Sequence, residues 1–277
     1  MTPLHETRAM KRLLPLAVAC LLAAACDGDA TGPDDSAGVP QRYTVVPIQI
    51  PAGTAPGPST FIPAAINGSG QVVLTPFFTA HMFVLWSGGS LATLPAPYLA
   101  TANGLNDAGQ VVGCTGSVFG SEERRPLLGE AGRTWYLAGA GLERACALDL
   151  NDAGVVVGEA GPQRRSRAFV LSGGRLTFLD VPGDSTSQAA AVNAAGHVAV
   201  NSLRTEPVPC PNMSPTTGRA SLWRDGRLVP LGVLKYAAAG PGQVADVARF
   251  VHTARDLNDR DEVVGSSWGM VCTPDGS

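Results

Sequence analysis

The chain has 277 residues and a formal net charge of −3, with only 16% of its residues charged. So weak a charge balance excludes an electrostatic nucleic-acid binder, and 33 glycines with 22 prolines point to many turns and few exposed helices. The length is enough for one repeat domain with a continuous core.

At the N-terminus Arg8, Lys11 and Arg12 precede an apolar run from Leu13 to Ala25. The run is too short for a bilayer anchor and suits a secretory leader, so residues 1–25 are expected to be a signal peptide. Its end, Leu22-Ala23-Ala24-Ala25-Cys26, resembles a bacterial lipoprotein cleavage box with Cys26 as the lipidated residue. Ala23 stands where such boxes usually carry leucine, which leaves ordinary cleavage near Ala25 as the alternative; Cys20 would leave a shorter apolar stretch. Residues 26–42 are acidic, small and rich in Gly and Pro, the composition of a flexible tether. Without Glu6, Arg8, Lys11 and Arg12 the remainder carries 17 basic and 22 acidic side chains, from 20 and 23 in the whole sequence.

Residues 43–277 are dominated by a repeat. Ala65-Ile66-Asn67-Gly68-Ser69-Gly70-Gln71-Val72-Val73 returns as Gly104-Leu105-Asn106-Asp107-Ala108-Gly109-Gln110-Val111-Val112-Gly113. Further copies are centred on Asn151, Asn193 and Asn258, at spacings of 39, 45, 42 and 65 residues. An apolar pair, a polar corner with Gly70, Gly109, Gly154 or Gly196 where positive φ is tolerated, and a β-branched run together predict strand, tight turn, strand. A second turn follows in most units, as in Phe83-Val84-Leu85-Trp86, Ser87-Gly88-Gly89 and Leu91-Ala92-Thr93-Leu94, so each complete unit supplies four short strands.

Periods of about forty residues are those of propeller blades and similar arrays. The expected fold is therefore all-β, a β-propeller-like array of about five four-stranded blades, at 64–95, 102–138, 145–180, 188–232 and from near 245. The last blade is incomplete. Tyr43-Thr44-Val45-Val46-Pro47-Ile48 resembles a fourth strand that could close it. Met270-Val271-Cys272 reads either as a ragged third strand or as part of a loop at which the chain is truncated.

The alternation of the Asn-Asp-Ala-Gly-Gln-Val-Val-Gly phrase with His81-Met82-Phe83, Arg167-Ala168-Phe169 and Arg219-Ala220-Ser221 resembles the HAF-repeat extracellular proteins of bacteria. The resemblance covers residues 43–277. It implies exported β-rich repeats and no catalytic residues, in a family generally without an assigned activity.

Cys114, Cys146, Cys210 and Cys272 remain in the repeat domain, an even number that reads as disulfides in an oxidising compartment. Three connectivities are possible. Neighbouring-blade geometry permits Cys114–Cys146, while Cys210 and Cys272 fall in corresponding loops. Asp107, Asp152 and Asp259 in the turns raise calcium ligation as an alternative to Asx-type turn chemistry by Asn67, Asn106, Asn151, Asn193 and Asn258. Gly68 and Ala194 replace the carboxylate in two copies, which favours the turn reading. Trp86, Trp135, Trp223 and Phe169 read as inter-blade packing.

No nucleophile elbow, zinc motif or phosphate loop occurs, and no cofactor is expected. The sequence thus points to an exported, lipid-anchored monomer at the cell envelope, a binding or structural module for an envelope protein or polysaccharide. A periplasmic or extracellular propeller enzyme cleaving glycosides or esters is the alternative, since the fold alone does not exclude catalysis.

Overall fold

A computed structural model describes residues 45–50, 60–76, 81–116, 124–162, 165–205, 216–232 and 247–271. The chain divides into the units Met1–Pro47 and Ile48–Ser277, and the strands below all lie in the second. Among the described residues the regular structure is entirely strand and turn.

Each asparagine turn joins the first two strands of a module. Module one comprises β1 (Phe61–Ile66), β2 (Val72–Pro76), β3 (Met82–Ser87) and β4 (Ser90–Pro95), and module two β5 (Thr101–Leu105), β6 (Val111–Cys114), β7 (Pro126–Glu130) and β8 (Arg133–Tyr136). In module three lie β9 (Ala145–Leu150), β10 (Val156–Ala160), β11 (Arg167–Ser172) and β12 (Arg175–Leu179). Module four has β13 (Thr186–Val192), β14 (Val198–Thr205), β15 (Thr216–Arg224) and β16 (Arg227–Pro230), and module five the hairpin of β17 (Val247–Leu257) and β18 (Val263–Val271). Modules one to four are antiparallel four-stranded meanders; module five adds two strands to the fourth sheet through one parallel bridge, Gly218 to Val251.

The second hairpin of each full module has a two-residue loop with both residues at positive φ, the geometry that matches strand twist. The pairs are Gly88-Gly89, Ala131-Gly132, Gly173-Gly174 and Asp225-Gly226. In module two Ala131 occupies a left-handed position, φ 48°, that glycine fills in modules one and three.

Two expectations are corrected. Residues 45–50 form no strand, while Tyr43 and Thr44 lie outside the described residues; Pro47 lacks the N–H a ladder needs and biases Val46 away from a regular register. Met270 and Val271 are not a third strand. They end β18, opposite Arg249 and Val247, because Val263–Val271 pairs with β17 without a break.

Apolar side chains gather in four clusters, each between consecutive modules. Val73 of module one packs with Leu105, Val111 and Leu127 of module two. Val112 then meets Leu150, Val156 and Phe169, Val157 meets Val192 and Val198, and Ala199 meets Leu257 and Val263. In modules two to five the residue before the asparagine thus faces the preceding module, and in modules one to four the second residue of the β-branched run faces the following one. A four-stranded sheet cannot bury both faces alone, and stacking does it. Of the aromatics expected between modules, Phe169 is buried and Trp223 packs on the third cluster, but Trp135 is 42% exposed.

Every first strand bulges at the same place. The register skips Ala64, Asn103, Leu148, Ala190 and Arg255, each three residues before its asparagine. In modules two, three and five a carbonyl of the bulged strand approaches the second strand closely and the glycine ending the repeat phrase makes room: a Cβ at Gly113, Gly158 or Gly265 would overlap the carbonyl oxygen of Thr101, Cys146 or Thr253. Gly154 instead has φ +74° with open space around its missing Cβ. Gly158→Ala should therefore cost roughly 2–3 kcal/mol, an overpacking strain, and Gly154→Ala only about 1 kcal/mol, the left-handed penalty. Urea unfolding that ranks the two the other way would remove the bulge explanation.

Candidate functional site

The repeat turns form one continuous hydrogen-bonded stack. Within a turn the asparagine N–H donates to the carbonyl four residues on, and its Oδ1 accepts that residue's N–H: Asn106 with Gln110, Asn151 with Val155, Asn193 with His197. The residue at the fourth position donates its N–H back to the asparagine carbonyl. It is Gly70, Gly109, Gly154 or Gly196, at φ 73–80°, and Asp261 at φ 63° in module five.

The other end of the carboxamide crosses to the next module. Nδ2 of Asn67 donates to Asn106 O (2.9 Å), Asn106 to Asn151 O (3.2 Å), Asn151 to Asn193 O (2.9 Å) and Asn193 to Asn258 O (3.1 Å). Asn106, Asn151 and Asn193 are buried, so these bonds are made away from competing water. Side chains of Gln71, Gln110 and Glu262 take a second bond from their own asparagine.

The turn aspartates serve the same stack. Asp107 Oδ1 accepts the N–H of Gly68 (2.7 Å), Asp152 Oδ1 that of Asp107 (2.7 Å), and Asp259 Oδ1 that of Ala194 (2.8 Å). Each of these carboxylates faces the module before it. No group of three His, Cys, Asp or Glu side chains able to hold a metal occurs among the described residues. In module five the strained Asp261 reaches back to Asn193 Nδ2 (2.9 Å), His197 Nδ1 (2.7 Å) and Arg224 (3.4 Å). The His197 hydrogen bond foremost holds the Asp261 carboxyl below its usual value.

Eight residues beyond the asparagine lies a second linking position, with different chemistry in each module. Thr75 Oγ1 accepts the N–H of Ala102 (2.9 Å), Cys114 is disulfide-bonded to Cys146 with Cα atoms 5.0 Å apart, and Asn201 bonds both backbone groups of Ala254. Glu159 takes that place in module three and pairs back with Arg124 of module two, both largely buried. Cys210 and Cys272, and the lipidation candidate Cys26, lie outside the described residues.

The bulged residues of all five modules, Ala64, Asn103, Leu148, Ala190 and Arg255, line one cavity of about 460 Å³. Its wall also carries Thr75, Thr101, Gln188, Asn201 and Thr253 beside Ala100, Ala102 and Ala254. Arg255 is the single charged side chain among these lining residues. Asn103 and Asn201 are fixed in place, Asn103 by donating to Ala147 O (2.8 Å). Leu99, at the cavity edge, has φ 57°, a strained conformation for a branched side chain. Ser267 Oγ lies 2.7 Å from His252 Nδ1 across the β17–β18 pair, but neither residue lines the cavity.

Sequence reasoning missed Asp149, two residues before Asn151. Its carboxylate accepts the N–H of Val192 in module four and of Leu150, each at 2.8 Å. Burial outweighs those bonds and, with Asp256 adding repulsion, pushes its pKa up to about 6. Gly104, the equivalent residue of module two, gives a clue: a Cβ there would crowd the Asp149 backbone.

Fold and site together define a class, the repeat proteins built of stacked four-stranded β-meanders. Compared with known proteins, the chain matches no family model and no curated sequence.

Two measurements follow from this geometry. Asn151→Asp sets a carboxylate against the Asn193 carbonyl and should cost roughly 3 kcal/mol, more than Asn151→Ala; melting midpoints of the parent chain in EDTA and in excess calcium should coincide. A calcium-dependent shift would return Asp107, Asp152 and Asp259 to the role of ligands. For Asp149, a folded pKa above the unfolded one means that stability is greatest below the unfolded value near 3.8 and falls as pH rises toward about 6. The fall should be at most ~3 kcal/mol, and Asp149→Asn, which retains an acceptor oxygen, should flatten that pH interval. An unchanged profile in the variant would show that another group titrates there.

Proposed function

We propose that the protein is an exported HAF-type repeat protein, held at the cell envelope by a lipid on Cys26, whose modules are blades of a β-propeller around a ligand-binding cavity. The observation that carries this reading is the cavity wall, to which each of the five modules contributes its bulged residue. Bulges commonly re-aim side chains at binding sites. A volume of about 460 Å³ falls in the range of small-ligand pockets. The wall offers amides, hydroxyls and the Arg255 guanidinium between alanines, which suits hydrogen-bonded capture of a polar ligand such as the end of an envelope polysaccharide. The described lining residues are amides, hydroxyls, one guanidinium and apolar groups, which are the groups of a receptor wall. The leader and the Cys26 box support export and anchoring independently of the cavity.

A Cys26→Ser chain should leave the membrane fraction yet still bind envelope polysaccharide in equilibrium sedimentation, whereas Ala190→Trp should fill the cavity and abolish that binding at an unchanged melting midpoint. Retention of Cys26→Ser in membranes would sink the anchor. Undiminished binding by Ala190→Trp would sink the cavity.

A further inference from the structure

The common cavity has two unlike sides. Toward module one its wall is Ile62, Pro63, Ala64, Leu99 and Ala100. The hydroxyls on that side are already engaged, since Thr75 Oγ1 accepts the N–H of Ala102 and Thr101 Oγ1 donates to Cys114 O. Modules four and five supply the other side. Gln188 pairs across β13–β14 with Asn201, and the Asn201 carboxamide is clipped at both ends to Ala254, which sets the flanking Thr253 and Arg255 on the Gln188 side of the wall. The clip uses up Asn201. The side chains of Gln188, Thr253 and Arg255 line the cavity and make no hydrogen bond or ion pair with any described residue.

We infer that the cavity takes an acidic sugar: its anionic group pairs with Arg255, its hydroxyls meet Gln188 and Thr253, and its C–H face lies against the Ala64, Leu99 and Ala100 side. This rests on the cavity being the binding site and adds the class of ligand. The bulge of β17 carries Arg255 into the wall where the other modules present Ala, Asn, Leu and Ala. Arg255 is thus the single charged side chain among the described lining residues, and its charge has no carboxylate opposite it there. A guanidinium offers a planar fork of donors that fits a carboxylate or a phosphate by two parallel bonds. A neutral sugar needs only the amides and hydroxyls, so a cation held in a cleft with apolar walls selects for negative charge.

The test is calorimetric titration of the full Cys26→Ser chain, at low ionic strength, with glucose, glucuronate and glucose 6-phosphate. At least one of the two anions should bind on the order of tenfold more tightly than glucose, the scale of a charge-assisted contact. Which anion is preferred tells a carboxylate from a phosphate. Arg255→Gln, at an exposed position and so compatible with folding, should bring the anions to the level of glucose with an unchanged melting midpoint. Anions that bind no better than glucose overturn the inference, as does a preference that survives Arg255→Gln or a failure of all three sugars to bind. Loss of polysaccharide binding in Ale190→Trp is read separately and decides whether the cavity itself stands.

Discussion

A carboxamide that reads two modules at once holds this protein together. Each of the first four repeat asparagines shapes its own turn through Oδ1 and commits Nδ2 to the carbonyl of the next asparagine. Asparagine offers an acceptor and a donor on two separate atoms of a short side chain; aspartate lacks the donor, a serine hydroxyl puts both on one atom, and glutamine would overshoot the turn. Once neighbouring turns are locked, the register between modules is set, the alternating faces of their second strands fall opposite one another, and the four apolar clusters form between them. The bulges act on the opposite requirement. They bend each first strand where it meets the common cavity, and the terminal glycine of the phrase accommodates the displaced carbonyl.

What the sequence made legible is what backbone sterics and period dictate. Glycine at positive φ announces a turn whatever surrounds it, so Gly70, Gly109, Gly154 and Gly196 and the two-residue hairpins could be read directly. The four-strand unit followed from apolar runs between those turns. Less accessible were features that exist only between modules. The turn aspartates look like a local motif or a metal site because their acceptors' partners lie 39 to 65 residues away. The cavity wall was hidden because the bulged position is Ala, Asn, Leu, Ala and Arg in turn, a set with no common chemistry. Yet a signal was present: the recurrence of Gly113, Gly158 and Gly265 at one place in three of the five modules marks a close backbone approach on the facing strand.

Asp149 and Asp261 show the two ways in which a carboxylate is used in this stack. Asp149 binds backbone N–H groups in a poorly solvated place and holds its proton more tightly than usual. Asp261 accepts a left-handed backbone conformation and gains partners on the previous module. Both replace a small residue found in other copies, Gly104 and Gly109 in module two, so variation at repeat positions follows what the adjoining module presents.

The linking position eight residues beyond each asparagine carries a hydroxyl, a thiol in a disulfide, a carboxylate and an amide in successive modules. Every one of these bonds concerns only a module and its neighbour. The distance along the chain between adjacent asparagines varies from 39 to 65 residues without interrupting the stack. Duplication or loss of one whole unit during descent thus disturbs a single junction, and the genetic unit of change in such a chain is the module rather than the residue.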